Sequence, residues 1–408
     1  MFHSGKHKIF ILFFLLPILL PTSVFAQYKP IALQDKRASD LKVGAERMEV
    51  YLPLVKNKNI AVVAHPASMV RNTHLVDTLL KAKVKLKKIF APEHGFRGDV
   101  EAGGKINTGV DKKTGLTVVS LYGKNNKPKP EDLTGVDLVV FDLQDVGARF
   151  YTYISTLHYV MEACAENNKQ LIILDRPNPN GYYIDGPILD TLYKSFVGMH
   201  PIPIVHGMTI GEYGKMINGE KWLAHGVQCK LEVITVEKYK HSDLYELPIR
   251  PSPNLPNMSS VYLYPSLCLF EGTIVSVGRG TDKPFQQFGY PDLPGGSIKF
   301  TPRPVKGASE NPLYNGKECS GFDVSLLGIS YTKYACQLNL FWIINLYKES
   351  KNKETFFNSF FTRLAGSEQL KKQITQDRSE IEIRATWAEG LKKFKEIRKK
   401  YLLYEDFE

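Results

Sequence analysis

The fold class is decided by one stretch of the sequence, Leu138–Asp175, which reads LVVFDLQDVGARFYTYISTLHYVMEACAENNKQLIILD. Its two ends, Leu138–Leu143 and Leu171–Asp175, are short and continuously apolar, and Thr152–Asn167 between them has the spacing of an amphipathic helix. Strands that are apolar without alternation are buried on both faces, as in parallel sheets. The stretch therefore predicts two parallel strands joined by a helix.

The same pattern continues on both sides of this stretch. Helical or turn segments separate four further predicted strands, which are Ile60–Ala64, Leu86–Ala91, Thr117–Tyr122 and Lys230–Val236. Helices are predicted over His74–Ala82 and from Thr209, where Glu212 completes a capping box. This half of the chain is predicted to be an α/β domain with a Rossmann-like, doubly wound parallel sheet.

A proline-rich stretch separates this half from the rest. Five prolines lie between Pro248 and Pro265, so the stretch is predicted to be neither a central strand nor a helix. The sequence therefore predicts a first domain over residues 27–250 and a smaller α+β domain over residues 251–408 that closes a cleft. The predicted elements of the second domain are strands at Thr273–Val277, Ser297–Pro302 and Gly321–Leu327, and helices at Ala335–Lys348, Glu354–Leu364, Ser367–Thr375 and Ser379–Tyr401.

Residues 1–26 are predicted to be a signal peptide. Lys6 and Lys8 supply its positive charge, Ile9–Leu20 its apolar core and Val24–Ala26 a cleavage site with small residues. The apolar run is too short for a comfortable membrane span, and no later segment reaches roughly 18 uninterrupted apolar residues. We expect an exported protein, periplasmic or secreted, without stable membrane insertion after cleavage.

The composition is that of a globular protein. The 408 residues are 43% hydrophobic and 23% charged, which excludes disordered, collagenous and coiled-coil proteins. Five cysteines at scattered spacings argue against a disulfide framework or a structural zinc site. The formal net charge is +11, and much of it is expected to be solvated helix surface, as in the lysine- and arginine-rich residues 392–400. Outside the cytoplasm, a basic surface meets anionic glycans rather than nucleic acid.

Polar residues cluster in the loops that follow the predicted strands. These loops contain residues 65–68, 92–98, 122–123, 144–149 and 176–181. Open α/β sheets bind ligands beyond the carboxyl ends of their strands. Because five such loops together carry Glu, His, Arg, Asp and Asn, they predict the rim of an active site.

Several familiar catalytic motifs are absent from the sequence. It contains no GxxxxGK[ST], no GxGxxG after the first strand, no HExxH and no GxSxG. This argues against NTPases, Rossmann dehydrogenases, zinc proteases and serine hydrolases, and neither a metal nor a cofactor is expected. Carboxylate chemistry beside arginines and aromatic rings remains, which is frequent in exported proteins that act on glycans.

Seven segments resemble one known family. They are FAPEHGFRGDVEAG (Phe90–Gly103), DLQDVGARFYTYISTL (Asp142–Leu157), LDRPNPNG (Leu174–Gly181), PIPIVHGMTIGE (Pro201–Glu212), PSPNLP (Pro251–Pro256), GTIVSVGRGTDKPFQQFG (Gly272–Gly289) and YLLYEDFE (Tyr401–Glu408). The mature chain is similar throughout to the exo-β-N-acetylmuramidases, glycoside hydrolase family 171. The resemblance implies release of terminal N-acetylmuramic acid from the non-reducing ends of peptidoglycan fragments, in a cleft between a Rossmann-like domain and a smaller domain.

Glu93 is the predicted general acid. Glycoside hydrolysis requires a carboxylic acid that protonates the leaving oxygen, and Glu93 directly follows an apolar strand. The family resemblance implies the same residue. The alternative is a loop carboxylate that pairs with Arg97.

The second catalytic carboxylate is predicted to be Asp142 or Asp145, with Asp99 and Glu101 as further candidates. Asp142 and Asp145 lie three residues apart, so one can face the cleft while the other caps the next helix or pairs with Arg149. Alternatively, the N-acetyl group of the substrate is the nucleophile and the second carboxylate orients it. The sequence leaves both mechanisms open.

A fixed cation is expected to bind the lactyl carboxylate of muramic acid, and the fork of an arginine matches a carboxylate. Arg149 and Arg279, one from each domain, are the preferred candidates, with an internal salt bridge as the alternative for each. The other predicted substrate-binding residues are His94, Arg97, Tyr153, Asn178, His206 and Asn254. For these, turn geometry or core packing is the alternative.

Two other functions are compatible with a polar cleft between α/β domains. One is a periplasmic glycan- or solute-binding protein, which needs no proton donor. The other is an exported amidase or esterase that acts at the lactyl–peptide junction, but the sequence has neither a nucleophile elbow nor a metal-ligand cluster to support it.

Overall fold

The structure is a computed structural model that describes residues 33–93, 95–97 and 109–408. The predicted signal peptide, His94, Asp99 and Glu101 lie outside the described residues. Among the helices that are described, none is both long enough and apolar enough to cross a membrane.

Short strands alternate with helices along the described chain. The strands are β1 (Gln34–Lys36), β2 (Asn59–Ala64), β3 (Met69–Val70), β4 (Thr73–His74), β5 (Lys85–Ala91), β6 (Gly109–Val110), β7 (Thr117–Ser120), β8 (Leu138–Asp142), β9 (Gln170–Leu174), β10 (Lys230–Ile234), β11 (Asp243–Tyr245), β12 (Gln287–Tyr290), β13 (Ile298–Phe300) and β14 (Cys319–Asp323). The α-helices are α1 (Met48–Val55), α2 (Leu75–Lys81), α3 (Tyr153–Glu166), α4 (Ile210–Gly219), α5 (Met258–Leu267), α6 (Ser325–Leu327), α7 (Lys333–Ala335), α8 (Phe341–Glu349), α9 (Lys353–Phe356), α10 (Phe360–Ala365), α11 (Gln369–Thr375), α12 (Glu380–Ala385) and α13 (Ala388–Lys399).

The central sheet has the Rossmann strand order. Its strands lie in the order β10-β9-β8-β2-β5-β7-β6, and every neighbouring pair is parallel except β6 with β7. If β2, β5, β7, β8, β9 and β10 are renumbered 1 to 6 and the sheet is read from β7 to β10, the order is 3-2-1-4-5-6. This is the order of the doubly wound Rossmann sheet. The predicted fold class is confirmed, and the strand order reverses between β2 and β8, where such sheets bind ligands.

The central strand β8 shows why the apolar runs form a sheet covered on both sides. All five of its residues are buried. Val139 and Phe141 belong to a large hydrophobic cluster that includes α3 and α4, whereas Leu138 and Val140 belong to a second cluster with α1 and α2. Alternate side chains of one strand therefore enter different cores, which explains why the run is apolar without alternation.

The proline-rich stretch contains a helix, and the prediction that it contains none is wrong. Helix α5 includes Pro265 in its last turn and is buried from Ser259 to Leu267. A proline at this position cannot donate to the carbonyl of Val261, four residues earlier. The side chain of Asn180 donates to that carbonyl instead, at 3.2 Å. A residue of the first half thus compensates the proline, and α5 is a packed connection between the halves.

The second half contains a three-stranded antiparallel sheet, β12-β14-β13, together with α6–α13. Strand β12 was not predicted. The predicted strand Thr273–Val277 makes only isolated bridges, from Thr273 to Phe357 and from Ser276 to Gly289. Residues that make single bridges to two different partners are extended without forming a ladder.

The four predicted helices of this half are shorter than expected or divided. The helix over Ser367–Thr375 begins at Gln369, and the helix over Glu354–Leu364 is divided into α9 and α10. The helix expected over Ala335–Lys348 begins at Phe341, because Cys336 adopts a left-handed φ of 51° and ends the short helix before it. The helix expected over Ser379–Tyr401 is divided into α12 and α13. At the break, the Thr386 hydroxyl donates to the carbonyl of Ile383 at 2.6 Å, a local bond that competes with the helical pattern.

The end of the chain returns to the first half. The buried guanidinium of Arg398 donates to the carbonyl of Gly207 at 2.7 and 2.9 Å. The Leu403 amide donates to Glu212 at 2.8 Å, and the Tyr404 hydroxyl to Asp175 at 2.5 Å. The larger hydrophobic cluster also contains residues of both halves. The two halves are therefore held together around a common core.

Candidate active site

A pocket lies where the carboxyl ends of the central strands meet the second half. The space between its walls, which is partly open to solvent, is about 340 Å³. Most of its lining is buried, whereas Glu93 and Arg279 are partly exposed. The lining residues are Glu93, Phe150, Tyr151, Thr152, Ser252, Asn254, Leu255, Tyr264, Arg279 and Phe285.

The carboxylate of Glu93 is held by the entrance of α3. Glu93 follows β5 by two residues, and Thr152 immediately precedes the first residue of α3. The Thr152 hydroxyl donates to Oε2 of Glu93 at 2.9 Å. The strands that precede these two loops, β5 and β8, lie on either side of β2, so the sheet brings both loops to the same edge. The threonine then fixes the orientation of the carboxylate.

A chain of hydrogen bonds also holds the backbone of Glu93. The amide of Gln144 donates to Nε2 of His65 at 2.9 Å, so the proton of a neutral imidazole lies on Nδ1. His65 Nδ1 is 3.2 Å from the hydroxyl of Tyr153, which donates to the carbonyl of Glu93 at 3.4 Å. Burial, followed by the charge of Glu93, raises the pKa of Tyr153 far above its usual value. Tyr153 therefore keeps the proton that it donates.

Arg279 reaches the pocket from the second half. Its Nε donates to Glu271 at 2.6 Å, and its guanidinium lies 5.0 Å from the ring centroid of Phe285. Burial lowers the pKa of Arg279, but the neighbouring Glu271 carboxylate outweighs that effect and raises it overall. Within the part of the chain that the structure describes, this hydrogen bond is made by Nε.

Asp142 does not line the pocket. It is fully buried and forms a forked ion pair with Arg176, in which Nη2 donates to Oδ2 at 2.9 Å and Nε donates to Oδ1. Burial lowers the pKa of Arg176, but the charge of Asp142 outweighs it and the pKa is raised overall. This arrangement favours a structural carboxylate at the end of β8 over a nucleophile.

Asp145 and His206 form a buried pair behind the pocket lining. Oδ2 of Asp145 accepts from the amide of Gly147 at 2.7 Å and lies 3.6 Å from Nε2 of His206. The amide of Met208 donates to the other ring nitrogen of His206 at 3.3 Å. The structure thus brings these two predicted residues together, but neither reaches the pocket surface.

Arg149 is placed away from the pocket, and this corrects its assignment as a substrate ligand. Its guanidinium is fully buried and donates to four carbonyls, at 2.7–2.9 Å, namely those of Pro187, Ile202, Leu364 and Ala365. Burial lowers the pKa of Arg149 to about 9. Since these acceptors come from both halves, Arg149 joins them and has no geometry for a ligand.

Three other predicted residues form hydrogen bonds with side chains or carbonyls of the protein itself. Arg97 forms a forked pair with Asp111 at 2.9 Å, rather than pairing with Glu93. The side chain of Asn178 donates to the Met208 carbonyl at 2.9 Å, which is a turn-stabilising role. Asn254 does line the pocket, where its side chain donates to the carbonyl of Ala308 at 2.7 Å.

Sequence reasoning missed several residues of the site. His65 and Thr152 support Glu93, and Tyr264 and Phe285 form part of the pocket wall. The position of His65 could have indicated its role, since it follows the first strand of the sheet, where the strand order reverses. Nothing in the local sequence distinguishes a threonine or tyrosine of the site from one that packs in the hydrophobic core. Within the described residues, no group of three or more His, Cys, Asp or Glu is arranged to hold a metal ion.

The fold and the site together define a class. A Rossmann-like sheet places an oriented carboxylic acid at an aromatic pocket, opposite an arginine from a second domain. This arrangement is suited to a hydrolase that protonates a leaving oxygen in a polar, ring-shaped substrate.

Comparison with known families and proteins agrees with this class. The N-terminal domain of the exo-β-N-acetylmuramidase NamZ matches residues 60–259, and its C-terminal domain matches residues 262–404. The chain is 39% identical over 383 residues to the peptidoglycan β-N-acetylmuramidase NamZ of Bacillus subtilis (strain 168), covering 87% of this chain and 89% of that protein. The chain belongs to the exo-β-N-acetylmuramidase NamZ family, and the predicted glycoside hydrolase is confirmed.

Two solved structures share the fold. Both are DUF1343 family proteins of Bacteroides fragilis NCTC 9343, and each match covers 90% of this chain and 99% of the other. The first is 46% identical with a TM-score of 0.84, and the second is 28% identical with a TM-score of 0.72. The likeness extends over both halves of the described fold.

Proposed function

We propose that the protein is an exported exo-β-N-acetylmuramidase that removes terminal N-acetylmuramic acid from the non-reducing ends of peptidoglycan fragments during wall turnover or recycling. Membership of the exo-β-N-acetylmuramidase family supports N-acetylmuramic acid as the sugar that is released. The matching family models, which are those of an exo-β-N-acetylmuramidase, support removal of one terminal sugar rather than cleavage inside a chain. The pattern of residues 1–26 supports export.

Glu93 is the proposed general acid, and its position in the pocket carries the proposal. It is the one carboxylate among the described lining residues. Thr152 and Tyr153 hold its side chain and its backbone, so the acid is oriented before substrate arrives. Such pre-orientation lowers the cost of the proton transfer to the glycosidic oxygen. Asp142 and Asp145 lie outside the pocket lining, where they stabilise the loop that follows β8, and they do not attack the sugar.

Arg279 is the proposed partner of the lactyl carboxylate. It lines the pocket, and the neighbouring Glu271 carboxylate stabilises its charge. A carboxylate bound by such a fork distinguishes muramic acid from glucosamine, which lacks the lactyl ether. A glycan-binding protein would also need this contact but would not need Glu93.

The test compares two chromogenic substrates, an N-acetylmuramide and the matching N-acetylglucosaminide. We expect the muramide to be hydrolysed faster, and faster cleavage of the glucosaminide would exclude the assigned substrate. Glu93→Gln should reduce turnover of a natural disaccharide by about 10²- to 10⁴-fold. The loss should be smaller for the aryl muramide, whose phenolate needs less protonation.

The matched control is Glu131→Gln, which makes the same change on an exposed turn away from the pocket. It should leave both rates unchanged. If Glu93→Gln binds and turns over the disaccharide like the unchanged protein, Glu93 is not the acid.

A further inference from the structure

A second aromatic surface lies outside the pocket. Tyr122, Tyr159 and Phe196 are each partly exposed, and we name these three residues the aromatic platform. The ring of Phe196 stacks with that of Tyr159 at 6.3 Å between centroids and 17°, and meets the ring of Tyr122 at 6.1 Å and 62°. None of the three lines the pocket.

The register of the sheet brings the platform to Glu93. In the neighbouring parallel strands β5 and β7, Ala91 pairs with Ser120. The Leu121 amide extends this ladder by donating to the carbonyl of Ala91 at 2.8 Å. Glu93 and Tyr122 each follow the last pair by two residues. They therefore leave the sheet side by side, from strands that are about 4.8 Å apart.

Helix α3 extends the platform away from the pocket. Thr152, which donates to Glu93, immediately precedes the first residue of this helix. Tyr159 comes seven residues later, which is two turns, so it lies on the same face about 10 Å further along the axis. The three rings thus form a surface that begins at the end of β7, the strand next to β5, and follows α3.

We propose that the aromatic platform binds the leaving-group sugar, the one attached to the terminal residue. The inference rests on the proposed function of Glu93. An acid that protonates the oxygen between two sugars has one of them on each side. The pocket, with Thr152 and Arg279, takes one side, and the platform lies next to Glu93 outside that pocket. The C–H face of a pyranose ring buries its apolar area against such rings.

Measurements of binding affinity distinguish this subsite from the pocket. In the Glu93→Gln background, in which turnover is expected to be about 10²- to 10⁴-fold slower, calorimetry measures the Kd of free N-acetylmuramic acid and of a disaccharide that carries this sugar at its non-reducing end. Adding Phe196→Ala should raise the Kd of the disaccharide roughly 10-fold, as for truncation of a contact aromatic. The Kd of the monosaccharide should change less than about twofold.

Two matched variants control for packing. Phe196→Tyr keeps the ring and should retain the affinity for the disaccharide. Leu192→Ala truncates an exposed side chain of the same segment, 87% exposed, and should change neither affinity. Tyr122→Ala should repeat the effect of Phe196→Ala from the other end of the platform.

Each result decides the inference. Selective loss of disaccharide affinity supports the subsite. Unchanged affinities, or equal losses for both sugars, overturn it while leaving the muramidase assignment in place. If the Glu93→Gln protein binds neither sugar although it is folded, the proposed function fails and the subsite fails with it.

Discussion

Arginines occupy two regions of the molecule in contrasting ways. In the pocket, Arg279 is partly exposed, and its described hydrogen bond uses a single nitrogen. At the junction of the two halves, which we define by Arg149, Asp175 and Arg398, the charged groups are buried and each is surrounded by several partners. The sequence context of Arg149 and Arg279 looks equally functional. A ligand-binding arginine and a structural arginine can therefore lie in similar sequence motifs. The hydrogen-bond acceptors that already surround the guanidinium distinguish the two.

Loss of Arg149 should have the largest effect on stability. Arg149→Met leaves four buried carbonyls without their donor, and we expect the free energy of unfolding to fall by about 4 kcal/mol or more. Denaturant unfolding measures this change. Glu93→Gln is the control and should unfold like the unchanged protein. A stable but inactive Arg149→Met protein would place Arg149 in the pocket region after all.

Loss of Arg279 should act on substrate discrimination. We expect Arg279→Ala to reduce transition-state stabilisation of the muramide by about 2–5 kcal/mol, the cost of removing one partner of a buried charge pair. The matching glucosaminide should lose much less, since it has no lactyl carboxylate. The ratio of kcat/KM for the two substrates reports this directly. Equal losses would make Arg279 structural and erase the contrast with Arg149.

The junction should also respond to pH through Asp175. Burial raises the pKa of Asp175 from its ordinary 3.8 to about 6, despite the donors Tyr404, Thr209 and Gly211. The folded state thus prefers the protonated carboxyl. The stability that this preference contributes is complete below about pH 4 and is lost as the pH rises through about 6, an effect of about 3 kcal/mol.

Asp175→Asn removes this titration. The difference in free energy of unfolding between the original protein and Asp175→Asn, measured from pH 4 to pH 7.5, should move in favour of the variant as the pH rises. A difference that is constant with pH would show that Asp175 is ionised in the fold throughout this range.

Loss of the Thr152 hydroxyl should have the smallest effect. Thr152→Val keeps the shape but removes the donor to Glu93, and a hydrogen bond of this kind contributes about 0.5–1.5 kcal/mol. We expect kcat on the disaccharide to fall by roughly 10-fold and kcat on the aryl muramide to fall less, with the melting temperature nearly unchanged. A variant with unchanged kcat on the disaccharide would show that Thr152 does not orient the acid.

The sequence predicts the first half of the fold well, because periodicity reports burial. The run Leu138–Leu143 could only be a strand covered on both faces, and the Thr209–Glu212 capping box begins α4 as expected. The second half was predicted less well. The extended segment at Thr273 pairs with distant partners, and α5 contains a proline whose lost bond is replaced by Asn180, over 80 residues away. Neither compensation is visible in a local pattern.

The candidate site was predicted in part for a similar reason. Glu93 follows from its place after β5, since strand ends determine the rim of the sheet. Arg149 and Asp142 lie in equally conspicuous motifs. However, the guanidinium of Arg149 donates to backbone carbonyls, and the carboxylate of Asp142 accepts from Arg176. Such partners come from elsewhere in the chain, so the residues' roles depend on tertiary contacts that spacing does not reveal.

The return of the chain end to Asp175 and Glu212 sets an order for biosynthesis. These carboxylates are made first, whereas Leu403 and Tyr404 leave the ribosome 191 and 229 residues after their partners. Until then, the sheet must hold two buried acids that lack part of their hydrogen bonding, which is unfavourable. A nascent chain stalled before residue 403 consequently lacks these closing contacts, and loss of Leu403 and Tyr404 weakens a domain encoded almost 200 residues upstream.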